Sequence, residues 1–383
     1  MTLTDLTFSV FQSALFSAPL GENEKKALEN ENTVKMLLYV CNQHTMAHLL
    51  YDVFVENGIP TTETTKKRLQ QQRDSAIFLC EQFQYELEEI SALFEREKID
   101  FIPLKGSVLR QHYPQRWHRT SGDLDILIKK EDRARADALL EKELSYTAKD
   151  VGEGAVTHFY TPTGLLIELH DDIQEFEDDG AFCQEVWNSA IRKTKRHLCM
   201  TDEAFYLHHL VHMKKHLLEG GCGIRFFLDL WFLQNIPHDK TKRAEGLKKH
   251  RLSKMNEGVV ALAKVWFGGK THTEETKRLE KYVLKSGTFG TEENKVSSIQ
   301  VRNPWKFKDI LKMIFLPYDQ LRHVFPVLKK HKYLYPVLTV WRWIYLPFRG
   351  MSSKSKKHIK EIFKPNEEKQ NEVKKLFTDL ELL

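Results

Sequence analysis

Arg119-Thr120-Ser121-Gly122-Asp123-Leu124-Asp125-Ile126-Leu127-Ile128 sets two acids at the mouth of an apolar run. Residues i and i+2 of a strand project from the same face, so Asp123 and Asp125 are expected side by side at a strand's edge, with the strand itself over Leu124–Ile128. Two neighbouring carboxylates repel unless protonated or bridged by cations, which makes a divalent metal their natural partner. Hard oxygen ligands of this kind suit magnesium or manganese over zinc.

Upstream, Ile99-Asp100-Phe101-Ile102-Pro103-Leu104 reads as a short strand, ended by Lys105-Gly106-Ser107 and followed by a helical turn over Val108–Tyr113. A Gly-Ser turn entering a helix offers backbone amides and a hydroxyl to phosphate oxygens. Downstream, a helix is expected over Asp132–Leu144. His158–Tyr160 and Leu165–His170 form a hairpin about Thr161-Pro162-Thr163-Gly164. Glu168 lies at the centre of that second, apolar strand. A buried charge there is costly without a partner, so Glu168 is expected to face the same metal. The competing reading makes the aspartates a solvated strand end and pairs Glu168 with an arginine; the order, spacing and apolar flanks of the three acids favour the metal.

Several neighbours carry two readings. Lys105 either neutralises a phosphate or is a solvated lysine at a strand end. Arg116 and Arg119 precede the acid pair and either contact a triphosphate or lie on the surface. His170 shares the face of Glu168 and either bonds the carboxylates, lines an acceptor pocket, or is structural. His208, His212 and His216 form one helical stripe, but without an H-E-x-x-H pattern or a well-placed cysteine a zinc site is not expected. The acidic run Glu175–Asp179 reads as a solvated loop.

The flanks are helical. Apolar residues recur at three- and four-residue spacing in Val34–Leu38, Met46–Phe54 and Lys66–Arg96, and again from Asp202 to Asn235, where Gly220-Gly221-Cys222-Gly223 separates two helices. Further helix is expected over Gly258–Trp266, and a loop or linker over the polar stretch 269–300.

The chain has 383 residues, 41% hydrophobic and 29% charged, which fits a globular protein with a real core. The net charge of +5 is uneven: residues 301–383 hold 18 Lys and Arg against 8 Asp and Glu, +10, which leaves −5 for residues 1–300. No basic stripe accompanies the acids, so a nucleic-acid partner is not expected. Five scattered cysteines without a C-x-x-C pair give neither a disulfide framework nor a zinc knuckle, and a cytoplasmic setting follows. No signal peptide or transmembrane helix is read. In the tail, Trp305, Phe307, Ile314, Phe315, Leu316, Trp341, Trp343, Ile344, Tyr345 and Phe348 alternate with lysines. They are expected to close the core of the helical region, with attachment to the inner membrane surface as the alternative.

Pro103-Leu104-Lys105-Gly106-Ser107-Val108-Leu109, the Arg119–Ile128 run and Ile167-Glu168-Leu169-His170 together resemble the bacterial "uncharacterised nucleotidyltransferase" family, a branch of the polymerase-beta-like superfamily. The segment from His212-Met213-Lys214-Lys215-His216 through Arg225 to Asp229 is similar to that family's helical segment. The resemblance implies an α+β fold: a small mixed-sheet nucleotidyltransferase domain flanked by N- and C-terminal helical regions. Its expected divisions are 1–94 helical, 95–200 catalytic, 201–300 helical and 301–383 a basic, aromatic-rich helical tail. It also implies magnesium-dependent transfer of a nucleoside monophosphate from a nucleoside triphosphate to a small-molecule or protein acceptor, with release of pyrophosphate. Asp123 and Asp125 would hold both metals, Glu168 would complete the site for the attacking oxygen, and Gly106 and Ser107, with Lys105 and Arg119 beside them, would grip the triphosphate. A nucleotide-binding scaffold without turnover, or a peripheral membrane module of an envelope or polysaccharide pathway, are the alternatives.

Overall fold

The computed structural model describes residues 1–149, 155–173, 180–288, 290–302, 316, 318–348 and 367–383. Five helices come first: α1 (Leu3–Phe16), α2 (Glu22–Leu28), α3 (Glu31–Gln43), α4 (Leu50–Glu56) and α5 (Glu63–Glu97). The sheet-bearing unit follows, with β1 (Phe101–Pro103), α6 (Gly106–Leu109), β2 (Asp123–Ile128), α7 (Arg133–Leu144), β3 (Thr147–Lys149), β4 (Val156–Tyr160) and β5 (Leu166–His170). Next are α8 (Ala181–Ser189), a small hairpin of β6 (Ile191–Arg192) and β7 (Leu198–Cys199), then α9 (Asp202–Leu218), α10 (Ile224–Gln234), α11 (Lys240–Lys249) and α12 (Ser253–Gly268). The described chain closes with α13 (Glu274–Ser286), α14 (Glu292–Arg302), α15 (Tyr318–Val324), α16 (Tyr335–Phe348) and α17 (Glu367–Asp379). The fold is α+β, a five-stranded mixed sheet flanked by helices on both sides in sequence.

α5 is the spine. Thr62 caps its start by accepting from the Thr65 amide, and Lys98 ends it in the left-handed region at φ 58°. Leu69, Ala76, Cys80, Phe83, Ile90 and Phe94 recur at three- to seven-residue intervals along its buried stripe. The Ile99 amide bonds the Phe94 carbonyl at 2.9 Å. That bond draws Ile99 into the helix terminus, which is why β1 begins at Phe101 rather than at Ile99.

The sheet order is β1-β2-β5-β4-β3, with β2 and β5 parallel and the other neighbours antiparallel. One face is apolar: Leu124, Ile126 and Ile128 of β2, Ile167 and Leu169 of β5 and Phe159 of β4 pack with Phe83, Ile90, Leu93 and Phe94 of α5 and with Ala136 and Leu140 of α7. Alternation then commits Asp123 and Asp125 to the opposite face. The β4–β5 hairpin has the expected pairing, while the short β3, Thr147-Ala148-Lys149, carries no alternation of its own and was not expected.

The second core joins α1, α3 and α4 to α9, α10 and α12. Phe8 stacks on Trp266 at 4.5 Å, and Phe227 meets Trp266 edge-on at 4.8 Å. The N-terminal helices and those after the sheet thus bury each other's apolar stripes. Gly221 sits where α9 turns into α10, and a Cβ there would meet the Gly290 Cα at 2.5 Å.

The stretch 269–300 is not a linker. α13 buries Leu279, Tyr282 and Val283, spaced i, i+3, i+4, beneath many lysines and glutamates that mask the stripe in composition. α17 packs on it through Val373, Leu376 and Phe377, with Arg278 bonded to Asp379 at 2.7 Å. That part of the tail is core. Trp341, by contrast, is 51% exposed. Trp305, Phe307, Ile314, Phe315 and the run Glu175–Asp179 lie outside the described residues, as do the side chains of Trp343, Ile344, Tyr345 and Phe348. Among the described residues no helix is long and apolar enough to cross a membrane.

Candidate active site

The parallel register pairs Asp125 with Glu168 and Leu127 with His170, and the antiparallel register pairs His158 with Glu168. Side chains of His158, Glu168 and Asp125 therefore form a row across three strands, with Asp123 and His170 as the next residues on the same face. Ligand atoms of Asp125, Glu168 and His170 lie within 4.8 Å of one another.

Asp125 is the buried centre of the row, 1% exposed. Its Oδ1 accepts from Lys105 Nζ at 2.7 Å and from His170 Nε2 at 3.0 Å. Its Oδ2 is buried and has no hydrogen-bond partner. His170 Nε2 also approaches Glu168 Oε2 at 3.4 Å, and His158 Nε2 lies 3.6 Å from Glu168 Oε1. Burial pushes the Asp125 carboxyl up, but Lys105 and His170 beside it bring it below the usual carboxylate range. Asp123, with no such neighbour bonded to it, is pushed up to about 6 by burial and by the charges of Asp125 and Glu168. Burial lowers His170, yet hydrogen bonds to Asp125 and Glu168 outweigh it and raise the imidazole to about 9. The site therefore holds its acids against two cationic side chains.

The turn before β2 is shaped by contact. A Cβ on Gly106 would sit 2.1 Å from the Ser121 hydroxyl, so only glycine lets the turn close against the Ser121-Gly122-Asp123 entry to β2. Lys105 adopts φ 46°, ψ −118°, a conformation that costs a side-chain-bearing residue energy. It aims the ammonium at Asp125. The Leu104 amide continues the β1–β2 ladder to the Asp125 carbonyl at 3.0 Å. Ser107 turns its hydroxyl back to the Leu104 carbonyl at 2.7 Å, and Arg110 bonds the Ser121 hydroxyl at 3.1 Å.

A cavity of about 410 Å³ opens beside these residues. Lys105, Gly106, Arg119, Ser121 and Asp123 form one side; His208, His209, His212, His216, Arg225 and Phe226 of α9 and α10 form the other. The Phe226 ring lies 5.8 Å from His209, 5.5 Å from His212 and 4.9 Å from His216. The histidine stripe is thus a cavity wall. Among the described residues it forms no metal-ligand group.

Arg119 is placed by α10. Its Nε donates to Asp229 Oδ1 at 2.7 Å, and the Tyr113 hydroxyl donates to the same oxygen at 2.7 Å. Asp229 is fully buried, and its Oδ2 has no hydrogen-bond partner. Arg225 donates to the Thr120 carbonyl at 2.9 Å, and burial together with Arg119 pushes it down to about 10. Arg116 is exposed.

Asp123, Asp125, Glu168, Gly106, Lys105 and Arg119 are thus gathered about one face of the sheet and its adjoining cavity, while the Ser107 hydroxyl is spent on its own turn. Sequence reasoning left His158, Tyr113 and Arg225 unassigned. The strand alternation that pairs His158 with Glu168 was a usable signal; nothing local marked the other two.

No curated protein matches the chain. A solved structure, an antigenic nucleotidyltransferase-like protein from Paracoccidioides brasiliensis, is 12% identical with a TM-score of 0.33, covering 52% of this chain and 95% of that one. A likeness at that level bears on neither the fold nor the chemistry. Residues 30–268, well over half the chain, match the model of the family described as "Uncharacterised nucleotidyltransferase". The chain belongs to the uncharacterised nucleotidyltransferase family.

Proposed function

We propose that the protein transfers a nucleoside monophosphate from a nucleoside triphosphate to a hydroxyl on a small-molecule or protein acceptor, with divalent-metal dependence. The observation that carries this reading is the unpartnered, buried Oδ2 of Asp125, set between two further acids. A buried carboxylate oxygen without a donor is costly unless a cation supplies the missing partner. The three acids are hard oxygen donors, which fit magnesium or manganese. Asp123, Asp125 and Glu168 would hold the metal. When bound, it would polarise phosphate oxygens and offset developing charge.

The chain's own groups supply the rest. Lys105 stands between Asp125 and the cavity, and would pass from the carboxylate to a phosphate oxygen as the triphosphate enters. Arg119 and Arg225 lie against Asp229, with Asp123 a lesser charge beside them, and their positive charge at the cavity favours a polyanion beside Gly106. The acceptor hydroxyl oxygen would bond to the α-phosphorus as the bond to the bridging β-phosphate oxygen breaks, pyrophosphate leaving and the hydroxyl proton passing to solvent. His212 and His216, half-buried on the cavity wall beside Phe226, offer flat aromatic surfaces on which a nucleobase stacks.

Calorimetry with each nucleoside triphosphate and magnesium, followed by a pyrophosphate-release assay with hydroxyl acceptors, tests the reading. Metal-dependent binding and release are expected, and His212→Leu should weaken nucleotide binding by about tenfold, the scale of a lost stacking contact. Binding without any release would assign the chain to a nucleotide-holding scaffold instead. No binding of any nucleotide would overturn both.

A further inference from the structure

α16 turns apolar side chains outward. Thr339 is buried, its hydroxyl bonded to the Tyr335 carbonyl at 2.7 Å, whereas Val337, Val340 and Trp341 are 62%, 59% and 51% exposed. Their i, i+3, i+4 spacing puts these three on one side of the helix. Tyr333, just ahead of it, is 74% exposed. Single exposed apolar residues are ordinary, but a contiguous set marks a contact surface.

The segment is folded, not frayed. Leu321 and Leu328 are fully buried, the Tyr318 hydroxyl donates to the Leu328 carbonyl at 2.7 Å, and the Tyr335 hydroxyl donates to the Leu316 carbonyl at 2.9 Å. The Tyr318 and Tyr335 rings meet at 5.8 Å. Outward apolar residues are therefore a product of the local packing.

Charge decides what covers them. Between 318 and 348 stand Arg322, Lys329, Lys330, Lys332 and Arg342 against Asp319 alone, and the three lysines are exposed. A second copy of this segment would bring the same positive charge and repel it. An anionic bilayer meets both demands: headgroups take the lysines, and the headgroup–acyl boundary takes valine, tryptophan and tyrosine. α16 has 14 residues, about 21 Å at 1.5 Å each, too short to cross a ~30 Å hydrocarbon layer.

We propose that α16 and the lysine-bearing segment before it dock on an anionic lipid surface, the helix lying along the interface. This docking is independent of the nucleotidyl-transfer reading, since none of its residues lines the cavity beside Asp123.

Co-sedimentation of the full chain with vesicles tests it, using phosphatidylcholine alone and phosphatidylcholine mixed with phosphatidylserine. Binding is expected only with the mixed vesicles, and raising the salt should weaken it at least tenfold, because exposed charges are screened over ~8–10 Å. Val337→Asp with Val340→Asp, and separately Lys329→Glu with Lys330→Glu, should each cut the affinity about tenfold or more. Both should leave melting temperature and nucleotide binding unchanged. Equal binding to neutral vesicles, binding indifferent to both variants, or no binding would overturn the proposal. An elution volume that shifts toward a smaller species in the valine variant, without vesicle binding by either protein, would assign the face to a second copy and overturn it equally.

Discussion

Asp125 and Asp229 are buried carboxylates with the same local bonding and opposite surroundings. Each has one oxygen that accepts two hydrogen bonds and another that accepts none. Around Asp125 stand Lys105 and His170, but also Asp123 and Glu168, so the acids outnumber the cations. Around Asp229 stand Arg119 and Arg225 with the Tyr113 hydroxyl, so the cations outnumber the acid. His170, bonded to Asp125 and Glu168, is raised to about 9 despite its burial, whereas burial without such acids holds His48 and His118 down to about 4. A buried acid is therefore read by its neighbourhood: the first region lacks positive charge and suits a cation, and the second fixes the arginines that border the cavity.

The largest effect separating the two is expected at Asp125. Asp125→Asn should lower pyrophosphate release by about a thousandfold or more, as loss of a residue acting in a catalytic unit does. The fold should survive, because Asp123 and Glu168 stand close enough to take over Lys105 and His170, and one repelling charge is gone. Thermal unfolding and turnover measured on one preparation decide the point. A variant that unfolds while the wild type does not would make Asp125 structural.

Asp229 should behave in the reverse sense. Asp229→Ala leaves a buried guanidinium and a buried phenol without their acceptor, a loss of about 3–5 kcal/mol, read as a fall of roughly 5 °C in melting temperature. Remaining folded protein should still bind metal. If Asp229→Ala kept its stability and lost only activity, the contrast between the two acids would fail.

The acid row was legible in the sequence because strand alternation is strict: Asp123, Asp125 and Glu168 had to share a face once Leu124, Ile126, Ile167 and Leu169 were committed to the core. The left-handed Lys105 and its bond to Asp125 were not legible, since backbone conformation at one residue depends on the Gly106–Ser121 contact across the turn. The Arg119–Asp229–Tyr113 network spans more than a hundred residues, and no local period announces it. α13 was missed because exposed lysine and glutamate swamp a narrow apolar stripe, and α14 because it buries Asn294, Ser297 and Ser298 around Val296, a face with no apolar period. The tail divided: Phe377 is core, while Val337 and Val340 are not.

Protons should sharpen the contrast next. His44, His48 and His118 each sit at about 4 when folded against about 6.5 unfolded. Neutral His44 accepts the Ile224 amide on Nδ1, and His48 donates from Nε2 to the His118 carbonyl. Unfolding takes up their protons between these values, so stability should fall as pH drops from about 6.5 towards 4. Asp123, held at about 6, works the other way in that window, and His170, charged throughout it when folded, opposes the uptake only near pH 6.5. The three histidines less Asp123 take up about two protons, each worth ~1.4 kcal/mol per pH unit at the limit, and His112, His197 and His209, also lowered by burial, add to the uptake. Urea midpoints measured across this range should decline; a flat profile would mean that the three histidines charge within the fold.

The smallest effect is expected at Tyr113. Its hydroxyl donates to the same Asp229 oxygen as Arg119, and burial with the Asp229 charge pushes its own ionisation well up, so it stays a neutral donor. Tyr113→Phe removes one hydrogen bond to a charged acceptor but leaves the ring packed on Phe232, 4.5 Å away. Because Arg119 still compensates the carboxylate, the loss should be about 1–2 kcal/mol, well short of Asp229→Ala. Combining the two substitutions separates their roles: in the absence of Asp229 the phenol has no acceptor to lose, so Tyr113→Phe should then cost almost nothing. Additive losses in that double-mutant cycle would mean that the Tyr113 hydroxyl acts independently of Asp229, and that the second region is held by its arginines without help from the phenol.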